Sequence, residues 1–155
     1  MIAEDEFVRR VEADTEMLYR VAHTLLGCDA DCADAVQEAL TRAWMRRERV
    51  REPYFRTWLT RILINECKAQ RRRSARTLPR EDFPDAAAPE PFDPALRDAL
   101  ERIDERYRLP LLLHYLEGFS LREIAAMLHA PLGTVKARLH RARRALLDEW
   151  TEDAR

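Results

Sequence analysis

Residues 117–146 read EGFSLREIAAMLHAPLGTVKARLHRARRAL, which is the pattern of two helices joined by a turn. Ser120 and Glu123 have the spacing of a capping box, in which each side chain bonds the backbone N–H of the other residue. Residues 130–133 are typical of a tight turn, and Thr134 is predicted to cap a second, basic helix. A capped short helix, a turn and a basic helix together favour a helix-turn-helix.

The basic helix has two faces. Its apolar stripe, predicted to pack inward, is Val135, Leu139, Ala142 and Leu146, and its outward stripe is Lys136, Ala137, His140, Arg141 and Arg144. In a helix-turn-helix the second helix enters the DNA major groove. Lys136 and Arg141 suit guanine or phosphate, and Ala137 suits a thymine methyl group. Arg138 and Arg143 lie at the flanks and suit phosphates. The alternative is an amphipathic helix with a solvated basic face, but the three features together favour DNA binding.

The distribution of charge along the chain also favours binding to a polyanion. The chain has 155 residues, 46% hydrophobic and 35% charged, so it can bury a core. Residues 40–80 carry 13 basic and 3 acidic side chains, whereas residues 1–39 carry 3 and 10. Residues 106–147 are again basic, and 81–105 are acidic. This alternation predicts two polyanion-binding surfaces separated by acidic segments.

Proline placement predicts the domain boundary. Five of the eight prolines fall within residues 79–94, where no apolar periodicity exists. We therefore predict an all-α fold of two small helical modules, residues 1–75 and 93–155, joined by a flexible acidic linker over residues 76–92. In the second module, Asp93 and Pro94 are predicted to begin a helix. A further helix is predicted to run through Leu116 and stop at Gly118.

The first module is predicted to contain three helices. Gly27 ends the first, and Asp29 or Asp31 is predicted to cap the second, which runs to about residue 47. The third is predicted over about residues 55–73. On the second helix a polar stripe of Asp34, Gln37, Glu38 and Thr41 lies opposite the apolar one; taken alone, it is typical of a solvated face.

The segment MRRERVREPYFRTWLTRI, residues 45–62, mixes six arginines with aromatic residues. This mixture suits single-stranded nucleic acid, because bases stack on aromatic rings while guanidinium groups hold phosphates. The alternative is that Phe55 and Trp58 are core anchors, and for Trp58 the apolar neighbours favour that interpretation.

Three segments together resemble the extracytoplasmic-function (ECF) group of the bacterial sigma-70 family of sigma factors. DCADAVQEALTRAW, residues 31–44, is similar to the family's polymerase-binding helix. FRTWLTRILINECKAQRRR, residues 55–73, is similar to its strand-opening and minus-ten-reading segment. Residues 117–146 are similar to its helix-turn-helix that reads the minus-thirty-five element. One departure is Ala69, four residues after Asn65, where the family often has an aspartate.

The resemblance implies partners: core RNA polymerase (its beta-prime clamp helices and beta flap), duplex and melted promoter DNA, and an anti-sigma factor. The implied polymerase-binding residues are Asp31, Asp34, Gln37, Glu38 and Thr41. The implied minus-ten residues are Arg49, Arg51, Tyr54, Phe55, Arg56, Thr57, Trp58, Asn65 and Arg72. The implied minus-thirty-five residues are Ser120, Arg122, Thr134, Lys136, Ala137, Arg138, His140, Arg141 and Arg144. The linker would lie near the path of the nascent RNA.

The sequence contains little that favours a zinc site or a catalytic cysteine. Cys28 and Cys32 with His23 fall short of a four-ligand zinc site, and Cys67 has no catalytic partner. His114 and His129 lie in apolar segments and are predicted to be structural. We expect no metal, no cofactor, no enzymatic activity, no membrane insertion and a cytoplasmic location. Two alternatives stay open: a helix-turn-helix regulator that binds duplex DNA without polymerase, and an adaptor that does not read DNA.

Overall fold

The computed structural model describes residues 2–76 and 92–153. The chain as a whole divides into two compact units, Met1–Pro91 and Phe92–Arg155. Within the described residues all regular structure is helical, as predicted. Arg76 still belongs to a helix and Phe92 is buried in the second unit. The rest of the predicted linker, residues 77–91, lies outside the described residues.

The first unit is built from helices α1 (Glu4–Leu26), α2 (Asp29–Met45) and α3 (Phe55–Arg76). Gly27 ends α1 as predicted, because its φ of 72° is left-handed and its N–H bonds the carbonyl of His23. The predicted cap of α2 is wrong. Cys28 holds the N-cap position, and Asp29 and Asp31 lie inside the first turn, where their charge complements the helix dipole.

Small residues bring α2 close to α3. The buried face of α2 consists of Cys32, Ala35, Val36, Ala39 and Ala43. The apolar side chains of α3 with exposed fractions of zero are Leu59, Leu63, Ile64 and Cys67. Each helix therefore has one buried apolar face, although α3 also buries the polar residues Thr60, Glu66 and Gln70.

The second unit contains α4 (Pro94–Glu101), α5 (Glu105–Leu111), a π-helical turn (Leu112–Leu116), α6 (Leu121–Leu128) and α7 (Leu132–Asp153). Asp93 precedes α4 as predicted, without a side-chain capping bond. The helix predicted to end near Gly118 does so, with that glycine at φ 75°. Its last part is a π turn, closed by the N–H of Glu117 on the carbonyl of Leu112 at 3.0 Å.

The helix-turn-helix forms from α6 and α7. The predicted capping box is present, with Ser120 and Glu123 each bonding the other's N–H at 3.1 Å. The predicted turn is wrong in detail. The left-handed residue is His129, at φ 52°, and α7 begins at Leu132. Thr134 therefore lies in the first turn of α7 and does not cap it; its N–H bonds the carbonyl of Pro131 at 3.0 Å.

His114 and His129 of this unit have different surroundings. His114 is half-buried, and its Nδ1 lies 2.9 Å from the carbonyl oxygen of Phe119, which fits the predicted structural role. His129 is exposed, so the apolar environment predicted for it is wrong. Its role is conformational, since it supplies the left-handed residue between α6 and α7.

We predict that only one of the three thiols reacts in the folded protein. Burial raises the pKa of Cys67 to about 12 and also raises the pKa of Cys32, whereas Cys28 is half-buried. Because the thiolate is the reactive form, Ellman's reagent at about pH 8 should titrate Cys28 alone, and all three thiols in urea. Cys28→Ser should abolish the native reaction. Rapid reaction of two or three native thiols would contradict the prediction.

Candidate nucleic-acid and partner interfaces

A polar surface runs along the outer face of α2. We call it the α2 stripe, and its members are Asp31, Asp34, Gln37, Glu38 and Thr41. All but the first are exposed. Asp31 is half-buried, and its carboxylate accepts hydrogen bonds from Gln70 Nε2 at 3.3 Å and Ser74 Oγ at 3.4 Å. The structure therefore brings the five predicted residues onto one face, with Asp31 also joining α2 to the end of α3.

The chain between α2 and α3 forms a short basic loop, residues 46–54. It contains two 3₁₀ turns, Arg47–Arg49 and Glu52–Tyr54, and Val50 anchors it in the core. Arg49 and Arg51 are exposed, and Tyr54 keeps 64% of its surface in solvent. This arrangement presents guanidinium groups and an aromatic ring together, as binding of an unstacked strand requires.

Aromatic rings pack together where the two ends of the basic loop meet the helices. The ring of Phe7 packs edge-on against Trp44 at 5.2 Å and against Phe55 at 5.6 Å. Phe55 is only 1% exposed, so it belongs to the core and cannot stack on a base. This corrects its assignment to the minus-ten residues. Trp58 is half-buried, 5.9 Å from Phe55, and thus combines a packing role with an accessible edge.

Arg10 of α1 attaches the basic loop to the bundle. Its Nη1 donates to the carbonyl oxygen of Glu52 at 2.8 Å, and its guanidinium carbon lies 5.5 Å from the ring centre of Phe55. The Glu6 carboxylate accepts from Arg10 Nε at 2.9 Å, and this bond lowers the pKa of Glu6. This role of Arg10 was not predictable from the sequence, because a Glu–Arg pair four residues apart on a helix is also typical of a solvated surface.

The outer face of α3 continues the basic surface. Asn65 and Arg72, both predicted, are exposed. Arg61 and Lys68 are exposed on the same stripe, since positions 61, 65, 68 and 72 follow helical spacing. That spacing was readable from the sequence, yet both basic residues were missed.

Two other predicted minus-ten residues are less accessible. Arg56 and Thr57 are both half-buried. The Nε of Arg56 lies 3.4 Å from Asp14 Oδ1, which ties α3 to α1. Arg56 therefore contributes to packing between helices as well as to the charge beneath the basic loop.

The outward face of α7 carries the residues predicted to read duplex DNA. Val135, Leu139 and Ala142 are buried. The exposed residues opposite them are Lys136, Ala137, His140, Arg141 and Arg144, while Arg138 and Thr134 are half-buried. Ser120 and Arg122 are exposed at the start of α6, although the hydroxyl of Ser120 already accepts the capping bond. A helix entering the major groove would present the stripe of α7 to base edges.

Two arginines of α7 contact tyrosines of the same unit. Arg141 Nη1 donates to the Tyr107 hydroxyl of α5 at 3.3 Å. Arg143 lies 5.9 Å from the ring centre of Tyr115 in the π turn. The Tyr107 contact restricts the guanidinium of Arg141 while leaving the residue exposed.

Family comparisons match both units. The family model for sigma-70 region 2 matches residues 11–77, and that for sigma-70 region 4 matches residues 94–146. The ECF RNA polymerase sigma factor SigL of Mycobacterium tuberculosis is 34% identical over 84% of this chain and 80% of that protein. The chain belongs to the ECF group of sigma-70 factors.

Other relatives of this sigma factor carry the same family name. SigE of Mycolicibacterium smegmatis is 32% identical over 93% of this chain, which spans only 60% of that longer protein. SigW of Bacillus subtilis is 27% identical over 92% of this chain and 88% of its own length.

Solved structures agree in fold. The sigma factor RpoE from Bartonella quintana, in complex with the anti-sigma factor NepR, is similar at a TM-score of 0.76 with 25% identity, over 94% of this chain and 96% of that chain. CnrH, in complex with the cytosolic domain of CnrY, is similar at a TM-score of 0.69 with 24% identity, over 97% and 91%. The all-helical fold of both units is thus that of a sigma factor.

None of the helices in the described residues is long and apolar enough to cross a membrane. No group of three or more histidine, cysteine, aspartate or glutamate side chains in residues 2–76 and 92–153 is arranged to hold a metal ion.

We predict that Arg10→Ala loosens the basic loop of this sigma factor. Loss of the bond to the Glu52 carbonyl, worth about 1 kcal/mol, should speed hydrogen exchange at the Tyr54 amide about fivefold. That amide bonds the Arg51 carbonyl within the loop. Arg9→Ala is the matched control, because Arg9 pairs with Glu6 alone among the described ion pairs and is 74% exposed. Equal exchange in both variants would show that Arg10 does not hold the loop.

Proposed function

We propose that this sigma factor binds core RNA polymerase through the α2 stripe, opens promoter DNA with the basic loop and α3, and reads the minus-thirty-five element with α7. The observation that carries the proposal is the presence of two differently built basic surfaces in one chain. The basic loop combines arginine side chains with the exposed Tyr54, and α7 presents an exposed basic face. An opened promoter offers single-stranded and duplex DNA together, which fits both.

The α2 stripe suits a basic protein surface. Asp34 and Glu38 are exposed and one helical turn apart, with Gln37 beside them. We propose that they face basic residues of the polymerase clamp helices. Charges at such a rim mainly set the encounter rate and the choice of partner. Asp31, held by Gln70 and Ser74, would keep the first turn of α2 fixed during binding.

The basic loop suits a melted strand. Removing a base from the stack costs a few kcal/mol of stacking free energy, which new contacts must offset. The Tyr54 ring and the edge of Trp58 offer stacking surface, and exposed arginines on either side offer phosphate contacts. We add Arg61 and Lys68 to the predicted minus-ten residues as phosphate contacts, because they share the exposed stripe with Asn65 and Arg72.

The outward stripe of α7 suits the major groove. Lys136 and Arg141 can donate to guanine O6 and N7, and Ala137 is small enough to approach a thymine methyl group. Arg122 and Arg138 lie at the edges, where phosphate contacts would set the position of the helix on the duplex.

We propose three further properties of the same factor. An anti-sigma factor binds this chain, because the similar RpoE is held in a complex with the anti-sigma factor NepR. The protein performs no bond-making itself and acts in the cytoplasm, where bacterial polymerase works. A regulator that binds DNA without polymerase leaves the α2 stripe and the basic loop without a role.

Run-off transcription with core polymerase and a pool of promoter fragments tests the proposal. Specific transcripts should appear with the wild-type chain. The Asp34→Arg, Glu38→Arg double variant should need at least about tenfold more protein, because like charges would meet at the clamp. The matched control is Glu12→Arg with Glu16→Arg, which reverses two exposed charges on α1. Absence of transcripts together with tight DNA binding without polymerase would favour the stand-alone regulator.

Arg141→Ala tests the reading of duplex DNA. Loss of a bidentate base contact should reduce the preference for the cognate minus-thirty-five sequence by about 1–3 kcal/mol, measured by competition between promoter variants. Arg102→Ala provides the control, because it removes the same charge from an exposed arginine that pairs with Glu149 near the other end of α7. An unchanged preference in Arg141→Ala would remove that residue from the base-reading set.

A further inference from the structure

An open cleft lies between α2 and α3 beside the α2 stripe, with a volume of about 400 Å³. Its lining is entirely polar or charged and combines residues of both helices: Asp34, Gln37, Glu38, Arg42, Glu66, Gln70 and Arg73. The first three are predicted polymerase-binding residues, and the other four have no predicted role.

Glu66 is the unusual member of this lining. Its side chain is only 5% exposed, and among the described residues its Oε1 has no hydrogen-bond partner. Arg42 Nε lies 3.5 Å from Oε2, and Arg73 Nη2 lies 3.9 Å from Oε1, beyond hydrogen-bond distance. A buried carboxylate oxygen without a donor is costly, and such groups in native proteins usually have a partner.

The two nearby arginines are engaged elsewhere. Arg42 also contacts Glu38, with Nε 3.2 Å from its carboxylate. Arg73 donates to the side-chain oxygen of Gln70 at 2.7 Å. The lining therefore holds three carboxylates and two guanidinium groups, and the residual charge is negative. A single added cation would neutralise the cleft and supply the donor that Oε1 lacks.

We propose that Glu66 is a specificity-determining residue for polymerase binding and that its cleft receives an arginine side chain of core polymerase. This inference rests on the proposed function, because Asp34, Gln37 and Glu38 line both the cleft and the surface assigned to the polymerase. A guanidinium fits best, since its planar fork donates to two acceptors at once and is less strongly hydrated than an ammonium group. The contact adds α3 to the polymerase-binding surface.

The test compares Glu66→Gln with wild type in the full-length protein. Glutamine keeps the shape but removes the charge, so affinity for core polymerase should fall about tenfold or more. Glu12→Gln, an exposed substitution on α1, is the matched control and should leave affinity unchanged. The midpoint of thermal unfolding of Glu66→Gln should stay within about 4 °C of wild type, because the lost charge is poorly partnered in the free protein. A purely structural role would lower that midpoint instead.

A double-mutant cycle identifies the occupant. Each arginine of the polymerase clamp helices is replaced by alanine in turn and paired with Glu66→Gln. One arginine should show non-additivity of about fivefold or more in affinity. Wild-type affinity retained by Glu66→Gln, or additive effects in every cycle, would overturn the inference while leaving the proposed function intact. Failure of the wild-type chain to bind core polymerase would overturn the proposed function itself.

Discussion

The edge-on packing of Phe7 between Trp44 and Phe55 is the contact on which the first unit depends. It joins the start of α1, the end of α2 and the start of α3 at one point. Both ends of the basic loop are therefore fixed by the same cluster, and aromatic pairs of this kind stabilise a fold beyond the area that they bury. An exposed, charge-rich loop can keep a defined shape only because its two ends are held in this way.

The second unit depends on backbone geometry more than on ring packing. The capping box at Ser120 and Glu123 fixes the start of α6, and the left-handed His129 ends it. Pro131 then provides the carbonyl that accepts the first bonds of α7. These three features set the angle between the helices, so that the apolar stripe of α7 can be buried while its basic stripe is left exposed.

Much of this architecture was predictable from the sequence, because helical periodicity and chain breaks are local signals. Leucine spacing, Gly27, Gly118 and the capping box each predicted an element that the structure contains. The errors occurred where two residues compete for one role. Gly133 and Thr134 looked like a turn and a cap, but Pro131 initiates α7 earlier, and the left-handed position falls on His129.

The candidate sites were less predictable, because burial and pairing are tertiary properties. An aromatic residue in an arginine-rich segment can be a base-stacking group or a core anchor, and only packing with Phe7 distinguishes these for Phe55. The missing partner of Glu66 Oε1 depends on side chains from two helices. No local pattern reveals that a carboxylate will be buried without a donor.

The π turn at Leu112–Leu116 has a consequence for comparing this chain with its relatives. A π turn accommodates one more residue than an α-helical turn between the same two ends. One residue of this turn therefore has no counterpart in a relative whose helix is regular there. A one-residue gap in the alignment within this turn would restore the register of α6 and α7, and a gap-free alignment would displace every later residue by one position.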